Sequence, residues 1–333
     1  MSAGAQDLLL SVDNLATHFL VKGALRRAGG GVVRAVDGVS FFVASGEAFG
    51  LVGESGSGKS TLARTLMRLH KPTSGTASFA GVDLARASER ELRPLRRDMQ
   101  MIFQDTKSSL NPRLRVRNIV AEPLITHDLD HGRPSILALL HQVGLDERHI
   151  DRFPHQLSGG QRQRVGIARA LALRPKFIIA DEPVSALDVS IQAQILNLMK
   201  RLQRELGIAF LLIAHDVSVV SYFCDRIGVM YLGRIVEVGP GRTLMQQPSH
   251  PYTQALVSAV PLPDPTLGRG RVTLRGEIPS PLNPPAGCRF HTRCPVRIGA
   301  ICDDVQPPDY PTPTAGMAAC HLLDPQGDAG LTG

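Results

Sequence analysis

The chain has 333 residues, a formal net charge of +7 and the composition of an ordinary globular protein. This length buries a large core and leaves room for two domains, or for one domain with an appendage. No apolar run reaches the ~18 residues that a membrane span needs, and no signal peptide is recognisable, so we expect a cytosolic protein. The basic charge permits contact with nucleic acid or an anionic membrane but requires neither.

Strand and helix signals alternate along most of the chain. Apolar and β-branched spacing predicts strands at Leu8–Leu15 and Val32–Val43, joined by a basic, glycine-rich loop at Lys22–Gly31. From about Ser108 to Arg152 helical signals take over, which indicates a helical insertion within an α/β domain. The other predicted elements are strands at Glu47–Val52, Thr76–Phe79, Phe177–Ala180, Ile208–Ala214, Ile227–Tyr231 and Ile235–Val238, the apolar stretch Met99–Phe103, a helix or turn at Glu89–Arg97, and helices at Thr61–Leu69, Val116–Pro123, Ser135–Val143, Gly160–Leu173, Ser190–Leu206 and Val217–Phe223. This alternation predicts a largely parallel sheet covered by helices.

A phosphate-binding loop follows the strand at Glu47–Val52. Its sequence fits G-x-x-x-x-G-K-[ST]. Glycines let the backbone turn its N–H groups toward phosphate, and the N-terminus of the next helix adds a partial positive charge. Lys59 would reach the β- and γ-phosphates of a nucleotide, and the Ser60 hydroxyl would hold Mg²⁺. The predicted nucleotide-binding residues here are Gly53, Glu54, Ser55, Gly56, Ser57, Gly58, Lys59, Ser60 and Thr61.

Two carboxylates end the apolar strand at Phe177–Ala180. Burial of that strand would place Asp181 and Glu182 at the C-terminal edge of the sheet, where open α/β sheets bind ligands. Asp181 suits the Mg²⁺ sphere, and Glu182 suits polarising an attacking water. Because an acidic pair at a strand end is often only a helix cap, the pair alone leaves both interpretations open.

A short motif, Leu157-Ser158-Gly159-Gly160-Gln161, precedes the helix at Gly160–Leu173. Here the chain resembles the ATP-binding-cassette (ABC) ATPases, whose signature reads L-S-G-G-Q. The resemblance implies ATP hydrolysis with Mg²⁺. It also implies that these residues offer N–H donors to the γ-phosphate of ATP held by a second subunit, so that one cassette is half of each active site.

Further positions match the ABC family one by one. Gln104 matches the glutamine that touches Mg²⁺ and water and senses the membrane partner. His215 matches the histidine that contacts the γ-phosphate, although a lone histidine there is otherwise more often structural. Phe19 is our choice for the aromatic residue stacked on adenine, with His18 and Val33 as rivals. The loop that crosses the dimer seam is matched by Ser185, Ala186, Leu187 and Asp188.

After Pro240 the sequence becomes rich in proline, and we expect 241–333 to form a separate, loop-rich appendage. Two stretches in it, His250–Leu256 and Gly287–Pro295, resemble the C-terminal region of oligopeptide and dipeptide importer ATPases. Within that subfamily, Ser280–Pro285 looks more like the second ATPase of the pair, the F-type.

Four of the five cysteines cluster in this appendage, with the spacing C-x5-C-x7-C-x17-C. Four thiolates in a segment too small for its own core imply a bound metal that cross-links the segment. Zinc usually takes close cysteine pairs, so we favour a 4Fe–4S cluster, which related importers are understood to carry, over zinc. Free thiols and a mixed set with His321 stay open, and Cys224 is most simply a core residue. The predicted ligands are Cys288, Cys294, Cys302 and Cys320.

The sequence therefore predicts an α/β fold: a P-loop NTPase ABC cassette with a RecA-like core, a β-subdomain and a helical subdomain, plus the appendage. We expect the ATP-binding domain over 1–240, its helical subdomain at about 108–168, and the oligopeptide-transporter-type region over 241–333.

The resemblance implies the ATPase subunit of a peptide importer. A second ABC ATPase would complete a heterodimer beneath two transmembrane permease subunits, fed by an extracytoplasmic substrate-binding protein, on the cytoplasmic face of the inner membrane. The rival is an ABC ATPase acting on nucleic acid or ribosomes. Only the basic charge supports that rival, and this chain has one cassette rather than a fused pair.

Overall fold

The computed structural model describes residues 8–21, 31–104, 109–260, 272 and 274–325. The strands are β1 (Leu8–Val21), β2 (Gly31–Ala44), β3 (Ala48–Val52), β4 (Ser74–Phe79), β5 (Val82–Asp83), β6 (Met99–Ile102), β7 (Phe177–Asp181), β8 (Ala209–Ala214), β9 (Arg226–Tyr231), β10 (Arg234–Pro240), β11 (Tyr310–Pro311) and β12 (Met317–Ala318). The α-helices are α1 (Lys59–Leu66), α2 (Glu89–Asp98), α3 (Val116–Thr126), α4 (Arg133–Gln142), α5 (Gly159–Leu171), α6 (Val189–Leu206), α7 (Val217–Phe223), α8 (Gly241–Gln246), α9 (Pro251–Ser258) and α10 (Ala300–Asp304).

The described residues fall into two compact units, the first within 1–9, 43–48 and 86–213 and the second within 10–42, 49–85 and 214–333. In the first unit β6, β7 and β8 run parallel, with Ile102 opposite Ala180 and Asp181 opposite Ile213. β7 is buried along its whole length, which explains why its sequence is a continuous apolar run. The helices α3, α4 and α5 pack against one another. The first unit therefore contains three neighbouring parallel strands and a group of three packed helices.

The second unit carries a sheet with the strand order β2-β1-β4-β5. β1 pairs antiparallel with β4, and the register shifts between Asp13 and Ala16, where Asn14 has a φ of 46°. In the same unit β3 pairs in parallel with β9, and β9 pairs antiparallel with β10. The strand that leads into the phosphate loop therefore pairs with β9, and the other neighbour of β9 is β10, the strand that precedes the C-terminal segment (residues 241–333).

The C-terminal segment continues the second unit. β12 pairs antiparallel with β10, with Ala318 opposite Glu237, and β11 pairs with β12. The buried Glu237 carboxylate accepts hydrogen bonds from the N–H groups of Ser249 at 2.8 Å and His250 at 3.0 Å, just before α9. The predicted domain boundary near residue 240 stays a prediction.

Most predicted elements are confirmed to within a few residues. α1 is shorter than predicted and ends at Leu66, since Arg68 has a left-handed φ of 56°. The segment predicted as helix or turn is α2, which starts with a capping box between Ser88 and Glu91. The predicted loop residues 22–30 and the proline-rich stretch 261–271 lie outside the described residues. Within the described ranges no helix is both long and apolar enough to cross a membrane.

Candidate functional site

The phosphate loop connects β3 to α1 in the second unit. β3 is fully buried, and α1 begins at Lys59 with no side-chain cap on its N-terminus. A Cβ on Gly53 would collide with the carbonyl oxygen of Met230, and one on Gly58 with that of Ala35. Gly58 also has a φ of +106°, so the loop needs glycine for both space and conformation. The helix end directed at this loop favours an anion.

The Lys59 ammonium lies inside the loop. Its Nζ donates hydrogen bonds to the carbonyl oxygens of Gly53 at 2.7 Å and Glu54 at 3.0 Å, and to Ser57 Oγ at 3.2 Å. Only 5% of the residue is exposed. An ammonium group at this place in the loop is suited to bind a phosphate oxygen. The remaining predicted residues of the loop and the first turn of α1 lie in the same unit: Ser55, Gly56, Ser60 and Thr61.

Gln104 and Glu182 meet in the first unit, beside the C-terminal ends of β6 and β7. Gln104 Nε2 donates a hydrogen bond to Glu182 Oε2 at 2.8 Å. Asp181, the last residue of β7, is 3% exposed. Glu182 has a left-handed φ of 45°, and its N–H bonds to the carbonyl oxygen of Ile213 at 2.9 Å. Such a conformation is strained for a residue with a side chain, and strain of this kind concentrates at functional sites.

The signature residues begin α5, also in the first unit. Gln161 N–H donates to Ser158 Oγ at 3.3 Å, and Ser158 N–H donates to Gln161 Oε1 at 3.0 Å, which forms a capping box. Ser158 is exposed, whereas Leu157 is buried. A Cβ on Gly160 would lie 2.7 Å from Ile191 Cγ2, so glycine lets α5 approach α6 closely. The helix end therefore leaves its serine exposed at the surface.

The loop Ser185–Asp188 touches the signature. A Cβ on Gly159 would lie 3.1 Å from Leu187 Cδ2. Asp188 caps α6 by accepting hydrogen bonds from Ile191 N–H at 2.9 Å and Ser190 Oγ at 2.7 Å. These bonds, chiefly that of the Ile191 N–H, lower the pKa of the Asp188 carboxyl. Asp188 is therefore ionised at neutral pH, which suits a helix N-terminus.

His215 and Phe19 belong to the second unit. His215 follows β8 and is exposed. Phe19 is half-buried and meets His70 edge-on, with ring centroids 5.2 Å apart. Its rival His18 is engaged elsewhere, because its Nε2 lies 2.8 Å from Asp37 Oδ1. The choice of Phe19 as the adenine-stacking residue stays a prediction.

Four free cysteines of the C-terminal segment line one small cavity of about 20 Å³. Burial raises the pKa of Cys288 and of Cys320 to about 11, so both thiols are protonated at neutral pH. Within the described residues, no group of three or more His, Cys, Asp or Glu side chains is arranged to hold a metal ion. The predicted metal centre is therefore not shown, although Cys288, Cys294, Cys302 and Cys320 do come together.

Two side chains of the C-terminal segment contact the phosphate loop, and no sequence pattern assigned them that role. Tyr252 Oη accepts a hydrogen bond from Glu54 N–H, and the Arg293 guanidinium pairs with the Glu54 carboxylate. Both residues stand within the stretches that resemble importer ATPases. The sequence motifs that contain Tyr252 and Arg293 can be recognised, but motifs do not predict contacts over sequence separations of 198 and 239 residues.

Family models and known proteins place the chain among ABC proteins. The model described as ABC transporter matches residues 36–185, and that described as oligopeptide/dipeptide transporter, C-terminal region, matches residues 236–302. YkfD of Bacillus subtilis, a putative oligopeptide transport ATP-binding protein, is 52% identical over 94% of this chain and 95% of its own. The oligopeptide transport ATP-binding protein AppF of Bacillus subtilis is 49% identical over 97% of this chain and 99% of its own.

Solved cassettes share the fold. The dimeric post-hydrolysis state of the cassette MJ0796, bound to ADP and phosphate, matches with a TM-score of 0.61 at 32% identity, covering 70% of this chain and 99% of that one. CbiO1 of Clostridium perfringens, part of an ABC transporter complex, matches with a TM-score of 0.63 at 29% identity. The match covers 72% of this chain and 92% of that one. The predicted cassette fold is thereby confirmed. The chain belongs to the ABC transporter family, as an ATP-hydrolysing cassette that carries the oligopeptide/dipeptide transporter C-terminal region.

Proposed function

We propose that this chain is the ATP-hydrolysing subunit of an importer for oligopeptides or dipeptides. The observation that carries the proposal is the match of residues 236–302 to the C-terminal region of such transporters. Relatives named for oligopeptide transport, at 52% and 49% identity over nearly the whole chain, support it. A cassette alone would not separate import from export, whereas this region points to peptide importers. The chain itself would not contact the peptide, which passes through separate permease subunits.

Each candidate residue would have its own role in ATP hydrolysis. Lys59 and the loop N–H groups would hold the β- and γ-phosphates of ATP. Ser60 and Asp181 offer the oxygen ligands that Mg²⁺ prefers, and the ion, when bound, neutralises phosphate charge. Glu182 would accept a hydrogen bond from the attacking water, and Gln104 would hold the Glu182 carboxylate through their 2.8 Å hydrogen bond. His215 would contact the γ-phosphate.

A second cassette would complete each site. The signature Leu157–Gln161 of one subunit would face the ATP of the other, with Ser185–Asp188 at the seam. The exposed Ser158 at the start of α5 supports this arrangement. Val189 supports it further, since this apolar side chain beside the seam loop is 82% exposed. We propose a heterodimer with a second ABC ATPase, docked on two permease subunits at the cytoplasmic face of the membrane, with a substrate-binding protein on the other side.

We also propose a 4Fe–4S cluster held by the four clustered cysteines, with zinc as the alternative. The donor set supports it, because four thiols line one cavity in a segment with few regular elements. When bound, such a group would cross-link this segment and take the thiols as thiolates.

Copurification tests the importer. Tagged Glu182→Gln chain is purified with ATP and Mg²⁺ from detergent-solubilised cells, and the associated proteins are identified by mass spectrometry. We expect two multi-span permeases and a second cassette ATPase. Ribosomal proteins or DNA-repair factors without permeases would overturn the proposal and favour the nucleic-acid class.

A further inference from the structure

Glu54, the second residue of the phosphate loop, is held from two sides by the C-terminal segment. Its carboxylate receives a bidentate contact from Arg293, with Nη1 to Oε2 at 2.7 Å and Nη2 to Oε1 at 3.1 Å. Its backbone N–H donates to Tyr252 Oη at 2.9 Å. All three residues lie in the second unit. The loop is therefore bonded to one distant segment through both the side chain and the backbone of Glu54.

The ion pair is shielded from solvent. The Arg293 side chain is 8% exposed and that of Glu54 27%. Bidentate guanidinium–carboxylate pairs fix direction as well as charge, and partial burial weakens their screening by salt. The hydrogen bond to Glu54 also raises the pKa of Arg293, so its charge is permanent. The pair thus joins the phosphate loop to the C-terminal segment and differs from an exposed surface salt bridge.

Tyr252 belongs to a cluster of three packed aromatic rings. Tyr252 is fully buried and meets Tyr231 edge-on, with ring centroids 4.7 Å apart. Phe290 lies 5.4 Å from each of these two rings. Rings packed in this way have little freedom to move. The hydroxyl of Tyr252 is therefore presented to Glu54 N–H at a fixed position.

A carboxylate beside bound triphosphate needs a counter-charge. Glu54 stands in the loop whose N–H groups and Lys59 attract phosphate, and an unpaired negative charge there would repel the nucleotide. We propose that Arg293 and Tyr252 are positioning residues for ATP: they hold the phosphate loop through Glu54, and Arg293 cancels the Glu54 charge. This proposal rests on the ATP-binding activity and not on the cargo, so it can fail or succeed independently of the peptide importer.

A double-mutant cycle tests the charge argument. The full chain and its variants Arg293→Gln, Glu54→Gln and the double variant are titrated with a fluorescent ATP analogue and Mg²⁺, and unfolding temperatures are recorded alongside. We expect Arg293→Gln to weaken binding about tenfold in the wild-type background and less than about twofold in the Glu54→Gln background, since the charge to be cancelled is then gone.

A matched arginine serves as the control. Arg297 belongs to the same segment but pairs with Asp303, away from the loop, and we expect Arg297→Gln to bind the analogue as the wild type does. Equal losses for Arg293→Gln in both backgrounds, or a lower unfolding temperature at unchanged affinity, would show a packing role and overturn the proposal.

The hydroxyl of Tyr252 is tested separately. Tyr252→Phe keeps the ring and removes the acceptor for Glu54 N–H, and we expect about threefold weaker ATP binding with kcat little changed. An affinity equal to that of the wild type would remove Tyr252 from the proposal.

Discussion

Gln104 Nε2 donates a hydrogen bond to Glu182 Oε2 at 2.8 Å, although 78 residues separate them in sequence. The bond joins the end of β6 to the strained turn after β7. Gln104 is exposed at this edge, so a partner that moves it would also move the Glu182 carboxylate. This one contact connects an exposed residue at the strand edge with the residue that we assign to hydrolysis.

We expect Glu182→Gln to reduce ATP hydrolysis by about a hundredfold or more while ATP binding persists, because an amide cannot polarise the attacking water as a carboxylate does. Phosphate release and binding of a fluorescent ATP analogue measure the two effects. Glu205→Gln, exposed on α6, is the matched control. Unchanged turnover in the Glu182 variant would remove that residue from its role.

Lys59→Met tests the loop cation. The methionine side chain is nearly the same size, but it lacks the Nζ donors that now bond to Gly53 and Glu54. We expect ATP affinity to fall by about tenfold to a hundredfold, the equivalent of one or two charge-assisted hydrogen bonds. Calorimetric titration gives the constants, with Lys71→Met at an exposed site as the control. Equal affinities for the two variants would contradict the assignment.

Two glycines of the phosphate loop differ in the space around them. Gly56 and Gly58 both have positive φ, but a Cβ on Gly56 would meet nothing within 4 Å, whereas one on Gly58 would collide with the carbonyl of Ala35. We expect Gly56→Ala to lower the free energy of unfolding by about 1 kcal/mol and Gly58→Ala by about 3 kcal/mol or more. Denaturant unfolding measures both. A similar loss in the two variants would mean that the loop relaxes around the added methyl group.

Asp37 links pH to stability in the second unit. Burial alone would raise the pKa of Asp37, but the hydrogen bond with His18 and the charges of Arg289 and Arg234 outweigh it and lower the pKa below the usual 3.8. A lowered carboxyl pKa stabilises the fold above the unfolded value and loses that effect as the pH falls through the folded value. We expect Asp37→Asn to cost about 3 kcal/mol at pH 7, because Arg289 is left buried without its partner.

The cost of Asp37→Asn should shrink below about pH 4, as the wild-type carboxyl takes up its proton. Urea unfolding across this range measures the difference, and Asp304→Asn at an exposed site is the control. A difference between wild type and variant that does not change with pH would show that the ionised carboxylate is not what stabilises this cluster.

Metal analysis tests the four clustered cysteines. We expect anaerobically purified protein to contain iron and acid-labile sulfide, and Cys288→Ser to lose both. Cys224→Ser is the matched control, because Cys224 is buried elsewhere against Gly50. Zinc without iron or sulfide would replace the cluster with the zinc alternative, and protein free of any metal would show free thiols.

Local patterns in the sequence were sufficient to predict the loops and helix ends. The phosphate loop and the stop of α6 at Gly207 depend on residues a few positions apart, so their spacing was readable. The pairing of Gln104 with Glu182 depends on strand order, which spacing does not record. α9 was missed because prolines surround it, and burial of Tyr252 outweighs the weak local preference.

The pairing of β12 with β10 has a consequence for how this protein can be divided. A chain cut after Pro240 would leave the buried Glu237 carboxylate without the N–H groups of Ser249 and His250 and would expose an unpaired strand edge. We therefore expect the nucleotide-binding part to lose stability when it is cut from the C-terminal segment. Recombination that exchanged the C-terminal segment between transporters would replace part of the enzyme itself.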